Sequence, residues 1–241
     1  MQRALTISRS TVGNKAIMAV TGVILFGFVI GHMVGNLQVF GEPEALTRYA
    51  ATLRKLGALL WLVRAVMLVS LVLHIRAAIV LATRNADARE VDYQHRRRDQ
   101  VTDYAARTMM WSGPILGMYL LFHILHLTFG YGSTFDHQNV FNNVVYGFRV
   151  WWLSATYIVA NLLLGVHLFH GAWSWFQSLG LNHPRYNALR RAFAIAFAAI
   201  ITIGNVSIPV AVMTGMVEPT SEHFCYPELA STEGECDGFD N

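Results

Sequence analysis

The sequence predicts an all-α integral membrane protein, a bundle of five transmembrane helices with its N-terminus in the cytoplasm and its C-terminus outside. Three observations predict it. Of 241 residues, 54% are hydrophobic and only 14% charged, whereas a soluble domain gives about 25% of its residues to charge. The charge is segregated: residues 16–41, 108–135, 150–184 and 192–217 contain no Lys, Arg, Asp or Glu, and spanning about 30 Å of hydrocarbon takes only about 20 helical residues. Finally, basic residues gather in alternate connections.

The first span, about 15–40, follows Arg3, Arg9 and Lys15. Its apolar run is too long for a signal-peptide core and no small-residue cleavage site follows, so it reads as retained. The second span, about 58–82, is apolar apart from Arg64, His74 and Arg76. The third, fourth and fifth cover about 108–131, 149–178 and 191–216. Together they make one domain, 1–217, followed by an outer tail, 218–241.

Orientation comes from the short connections. With the N-terminus inside, the inner side holds Arg3, Arg9, Lys15, Arg84, Arg89, Arg96, Arg97, Arg98, Arg107, Arg185, Arg190 and Arg191. The outer side holds Arg48, Arg54, Lys55 and Arg149, with an acidic tail from Glu218 onward. Lys and Arg concentrate on the cytoplasmic side of membrane proteins, which sets this orientation; the expected location is multi-pass in the cell's inner (plasma) membrane. The net charge of +3 reflects those loops and needs no nucleic-acid partner. Cys225 and Cys236 fall in the outer tail, where an oxidising exterior would permit a disulfide; two free thiols is the alternative. There is no second domain and no repeat, so catalysis on a soluble substrate would need another subunit.

The histidines carry the chemistry. Six of the ten lie inside spans: His32, His74, His123, His126, His167 and His170. An ionisable ring in hydrocarbon needs a partner and marks a candidate functional site. At about 1.5 Å per residue, His32 lies about 25 Å beyond Lys15 and His123 about 24 Å beyond Arg107, whereas His74 lies about 15 Å from Arg84 and His167 about 20 Å from Gly180. His32 and His123 therefore share an outer level, and His74 and His167 an inner one. Two pairs at two levels are what two stacked bis-histidine haems require, each iron taking one imidazole from each side. Glycines punctuate the same helices at Gly22, Gly27, Gly31, Gly35, Gly113, Gly117, Gly165 and Gly171; they would let a flat macrocycle approach, but also serve ordinary helix packing.

Other readings stand beside this one. A lone intramembrane His is commonly a hydrogen-bonded packing residue. His123 with His126, and His167 with His170, are spaced i,i+3 and could chelate a metal such as zinc, although no HExxH motif and no intramembrane carboxylate completes such a site. Arg64 and Arg76 could pair with haem propionates or snorkel to the headgroups. A haem-free transporter or anchor, with histidines relaying protons, is a further alternative.

Four segments, SRSTVGNKAIMAVTGVILFGFVIGHMVGNL, VLHIRAAIVL, WSGPILGMYLLFHILHLT and GVHLFHGAWSWFQSLG, carry a family resemblance. In order and spacing the chain resembles the single-polypeptide, five-helix, di-haem cytochrome b subunits that anchor succinate dehydrogenases and quinol:fumarate reductases, over all five spans to about residue 216. The resemblance implies one axial histidine from each of the first four spans. His32 and His74 come from the GHM and LHIR segments. The family's third ligand stands ten residues after a glycine, which Gly113 makes His123; its fourth stands four and thirteen before two glycines, which Gly171 and Gly180 make His167. The implied pairs are His32 with His123 (outer haem b) and His74 with His167 (inner haem b), the same pairs as the depths give. His126 and His170 remain rival ligands, or contacts of haem or quinone. By resemblance, a flavoprotein subunit holding FAD and an iron–sulfur subunit holding the clusters dock on the cytoplasmic face. Succinate would be oxidised in those partners, and electrons would reach membrane quinone, menaquinone by the di-haem class. Ser10, Lys15 and Arg107 lie at the level of a cytoplasmic quinone site, and a higher oligomer of the complex is left open. A cytochrome b of a membrane hydrogenase or formate dehydrogenase is the alternative enzyme.

Overall fold

The computed structural model describes residues 10–88, 104–131, 135–136 and 138–220, without the side chains of 104–107. The cysteine pair, most of the acidic tail and the arginines of 89–103 lie outside the described residues, as does the Arg107 side chain. The described part is helical, with no strand among the described residues: α1 (Thr11–Asn36), α2 (Pro43–Lys55), α3 (Ala58–Asp87), α4 (Tyr104–Leu127), α5 (Val140–Arg149), α6 (Trp151–Ser178) and α7 (Asn187–Met213). Five of these, α1, α3, α4, α6 and α7, are long and apolar enough to cross a membrane. Large apolar side chains such as Val12, Trp61, Leu68, Met118, Leu162 and Ile203 stand more than half exposed on them. In water such a surface would drive aggregation; in a bilayer it is the lipid face.

Local chemistry sets the helix ends. Ser10 caps α1, its hydroxyl accepting from the Gly13 amide at 2.8 Å, as an N-cap serine does for one of the orphan donors of the first turn. The third span was expected at 108–131, yet α4 ends at Leu127. Gly130 adopts φ +72°, and the Gly130 and Tyr131 amides turn back onto His126 O and Leu125 O at 3.1 Å each. That left-handed closure stops the helix while the sequence remains apolar. In the other direction, α3 runs past the expected residue 82 to Asp87, because loss of hydropathy ends a membrane span without ending a helix. The last span, expected at 191–216, is α7 from Asn187 to Met213, closed by Gly215 at φ +75°.

Two helices have no counterpart in the sequence reading. The stretches between the expected spans, 41–57 and 132–148, hold α2 and all but the last residue of α5. Pro43 occupies the first turn of α2 with Glu44, and Arg54 and Lys55 occupy its last turn, an order that matches the helix dipole. Asn139 caps α5, accepting from the Asn142 amide at 2.9 Å. The two helices meet where the Phe141 amide donates to Thr47 Oγ1 at 3.3 Å. Both are too short to span a bilayer; they cover one end of the bundle.

The core is divided. One cluster, including Val39, Leu46, Phe141, Val145, Phe148, Tyr157, Ile208 and Val212, ties α2 and α5 to α6 and α7 at the covered end. The other, including Phe26, Met33, Leu168, Ala194 and Ile201, joins α1, α6 and α7. Gly165 lies so close to Thr202 that a Cβ there would overlap Thr202 Oγ1, so α6 and α7 approach at small residues, as membrane helices do. α3 packs on α1, and α4 on α6. Neither α1 with α4 nor α3 with α6 is a closely packed pair.

Candidate functional site

Across those two loosely packed helix pairs the histidine rings approach. His32 on α1 faces His123 on α4, with ring centroids 5.7 Å apart and planes at 88°. His74 on α3 faces His167 on α6, with centroids 6.4 Å apart and planes at 56°. The two levels can be measured on α1. His74 touches α1 at Met18 and Thr21, and His32 lies eleven residues beyond Thr21, about 16 Å further along the helix. On α6, His123 touches Tyr157, ten residues or about 15 Å from His167. Both helices give the same separation.

The inner pair is supported by backbone. His74 Nδ1 lies 3.2 Å from Met18 O and 3.3 Å from Thr21 Oγ1. A carbonyl can only accept, and the Thr21 hydroxyl already donates to Ile17 O at 2.7 Å. The proton therefore sits on Nδ1, and Nε2 keeps its lone pair. Gly22 lies against the ring: a Cβ there would be in van der Waals contact with His74 Cε1 at 3.4 Å. Opposite, His167 Nδ1 is buried with no hydrogen-bond partner, a situation rare enough in folded proteins to need a cause.

At the outer level the support is a side chain. Tyr157, 4% exposed, places its hydroxyl 3.3 Å from His123 Nδ1 and 3.0 Å from His126 Nδ1. Tyr119 packs edge-on against Tyr157 at 5.4 Å. His32 itself is exposed in the helix bundle and stacks on Phe28 at 5.4 Å. Sequence reading missed Tyr157. Its signal was available: a polar aromatic six residues into the fourth helix, at the depth of the third-helix histidines.

The structure separates the i,i+3 histidines. His123 faces His32, whereas His126 is 1% exposed, stacked on Phe122 at 5.8 Å and pressed against α5, where a Cβ on Gly147 would meet its Cε1 at 2.9 Å. His170 follows His167 by three residues on α6, half-buried. The glycines divide too. Gly35 packs on the Tyr49 ring and Gly165 on Thr202, while Gly27, Gly31, Gly113, Gly117 and Gly171 border open space.

The arginines are not gathered at the rings. Arg64 is exposed and lies over the Trp61 ring at 4.8 Å. It is close enough to Arg54 that, after burial, its charge is the second cause holding that guanidinium below its usual pKa. Arg76 lines a shallow apolar groove with Val72, Ile75, Ile79 and Val80; two residues from His74, it points about 200° around α3 from it. Ser10 is engaged as the α1 cap. Among the described residues no three His, Cys, Asp or Glu side chains converge as a metal cluster; what converges is pairs.

The chain is an α-helical membrane protein with two facing histidine pairs stacked in its bundle. Comparison with protein-family models, with curated proteins and with solved structures gives no match.

Whether the pairs suit a haem is a question of distance and donors. A metal–imidazole bond is about 2 Å and the ring centre lies about 1 Å beyond the nitrogen, so two imidazoles on opposite faces of one ion have centres about 6 Å apart. Both pairs stand near that value, on helices that are not packed together. His74 presents a bare Nε2, with Nδ1–H bonded to a carbonyl, the arrangement usual for a metal-bound histidine. The residues fit the group.

Proposed function

We propose that this chain is the membrane-anchor cytochrome b subunit of a succinate:quinone oxidoreductase. The observation that carries the reading is the two facing pairs, His32 with His123 and His74 with His167, about 15 Å apart along the helices. These residues would hold two b haems, which supply one-electron chemistry when bound. The chain's own part is to hold, orient and shield them. Met18 O and Thr21 fix the tautomer of His74, Tyr157 engages His123, and the apolar core under α2 and α5 encloses Tyr157 beside the outer pair. The segment resemblance supports this enzyme over other cytochrome b classes. It implies a flavoprotein and an iron–sulfur subunit carrying FAD and the clusters, with membrane quinone, menaquinone by class, as the partner in the bilayer. In the sequence, the bias of Lys and Arg toward the N-terminal segment and the second and fourth connections supports a cytoplasmic N-terminus, an outer C-terminus and docking of those partners on the cytoplasmic face of the plasma membrane.

The test is a cofactor count. The purified complex, reduced with dithionite, should show low-spin b-type bands and two haems per copy of this chain. No such bands, or one haem per chain, overturns the reading.

A further inference from the structure

One hydroxyl at the outer level serves two imidazoles. Tyr157 Oη lies within hydrogen-bond distance of the Nδ1 atoms of both His123 and His126, yet it has a single proton to give. It can donate to one ring only, and must accept from the other. Both contacts, 3.0 Å to His126 and 3.3 Å to His123, are of hydrogen-bond length. From this geometry we infer that Tyr157 is a positioning residue for the outer cofactor: it donates to His126 Nδ1 and accepts from His123 Nδ1–H, locking His123 in the tautomer that presents Nε2 toward His32. The inference rests on the cytochrome reading above and extends it to a residue outside the two histidine pairs.

The direction follows from the ligand role of His123: for its Nε2 to keep a lone pair, its Nδ1 must carry the proton, so Tyr157 accepts there and gives its own proton to His126. His126 is held in place to receive it by stacking on Phe122 and by the wall at Gly147. The cost is that the His126 proton then sits on Nε2, which is buried without a partner. Tyr157 is itself held edge-on by Tyr119, Phe122 and Phe148, and its carbonyl takes the Asn161 amide at 2.8 Å. A hydroxyl that gives its proton away becomes a better acceptor, because successive hydrogen bonds polarise one another. The pull on His123 Nδ1–H raises the basicity of the opposite nitrogen, as outer partners of metal-bound histidines do. A more basic histidine would favour the oxidised form of a haem held there, so the hydroxyl should lower the outer midpoint potential.

The test uses the intact complex carrying Tyr157→Phe, with redox titration and electron paramagnetic resonance of each haem. The expected result is an upward shift of the outer midpoint and a moved outer g-value, with two haems per chain and the inner haem unchanged. His126→Phe should shift the outer haem the same way but less, since Tyr157 then stays in place with its proton uncommitted. If Tyr157→Phe fails to assemble, His126→Phe carries the test alone. Two haems with an unmoved outer potential and spectrum in the informative variant overturn the inference. A wild-type complex without b haems instead overturns the cytochrome reading itself, so the two failures are distinguishable.

Discussion

The inner and outer histidine pairs are built by opposite means. His74 is held by a backbone carbonyl, Met18 O, with Thr21 beside it; His123 is held by the side chain of Tyr157. A carbonyl cannot be substituted away, so the inner tautomer is written into the geometry of α1. The outer tautomer depends on one hydroxyl and on the ring that receives its proton, which a single substitution can alter. One pair is fixed by the fold and the other is adjustable.

The largest test of that contrast is deletion. Replacing His74 or His167 by Ala should halve the haem content of the complex and leave the outer signal in place, measured by pyridine haemochrome and low-temperature spectra. Loss of the outer signal alone would break the pairing. Next in size should be Gly22→Leu. An added Cβ would fill the space up to His74 Cε1 at 3.4 Å, so the branched end of a leucine should press on the ring; the inner signal should weaken while the outer persists.

Smaller effects separate packing from cofactor support. Gly165→Ala drives a methyl into Thr202 and should destabilise the α6–α7 contact by about 1–3 kcal/mol, read as a lower unfolding temperature in detergent with haem stoichiometry retained. Gly204→Ala meets only the flexible Met33 thioether and should lower it less. The least effect belongs to Thr21→Val. Met18 O remains for His74, so about 1 kcal/mol or less should be lost, with the inner spectrum unmoved. A large inner shift there would show that the hydroxyl, rather than the carbonyl, fixes the tautomer.

The membrane helices were legible because length and hydropathy are local properties. Their ends were less so. The apolar run continues through residue 131, but α4 stops at Leu127 because Gly130 turns left-handed, and a hydropathy window does not weigh backbone conformation. α2 and α5 were missed for a related reason. Their apolar faces meet each other and the ends of α6 and α7, a partner that exists only after folding. For the site, depth along each helix grouped His32 with His123 and His74 with His167, since rise per residue is nearly constant. Depth could not separate His123 from His126, nor show that Tyr157 stands between them.

What the sequence determined by itself is the membrane class, the five spans and the heights of their histidines. Those follow from one-dimensional quantities, the free energy of putting residues into hydrocarbon and the fixed rise of a helix. The tertiary structure decided which face each ring takes, which imidazole is walled off against Gly147, and which carbonyl or hydroxyl fixes a proton. Azimuth and hydrogen bonding arise only when helices pack, because a donor's partner sits on another helix, at a sequence distance no local pattern encodes.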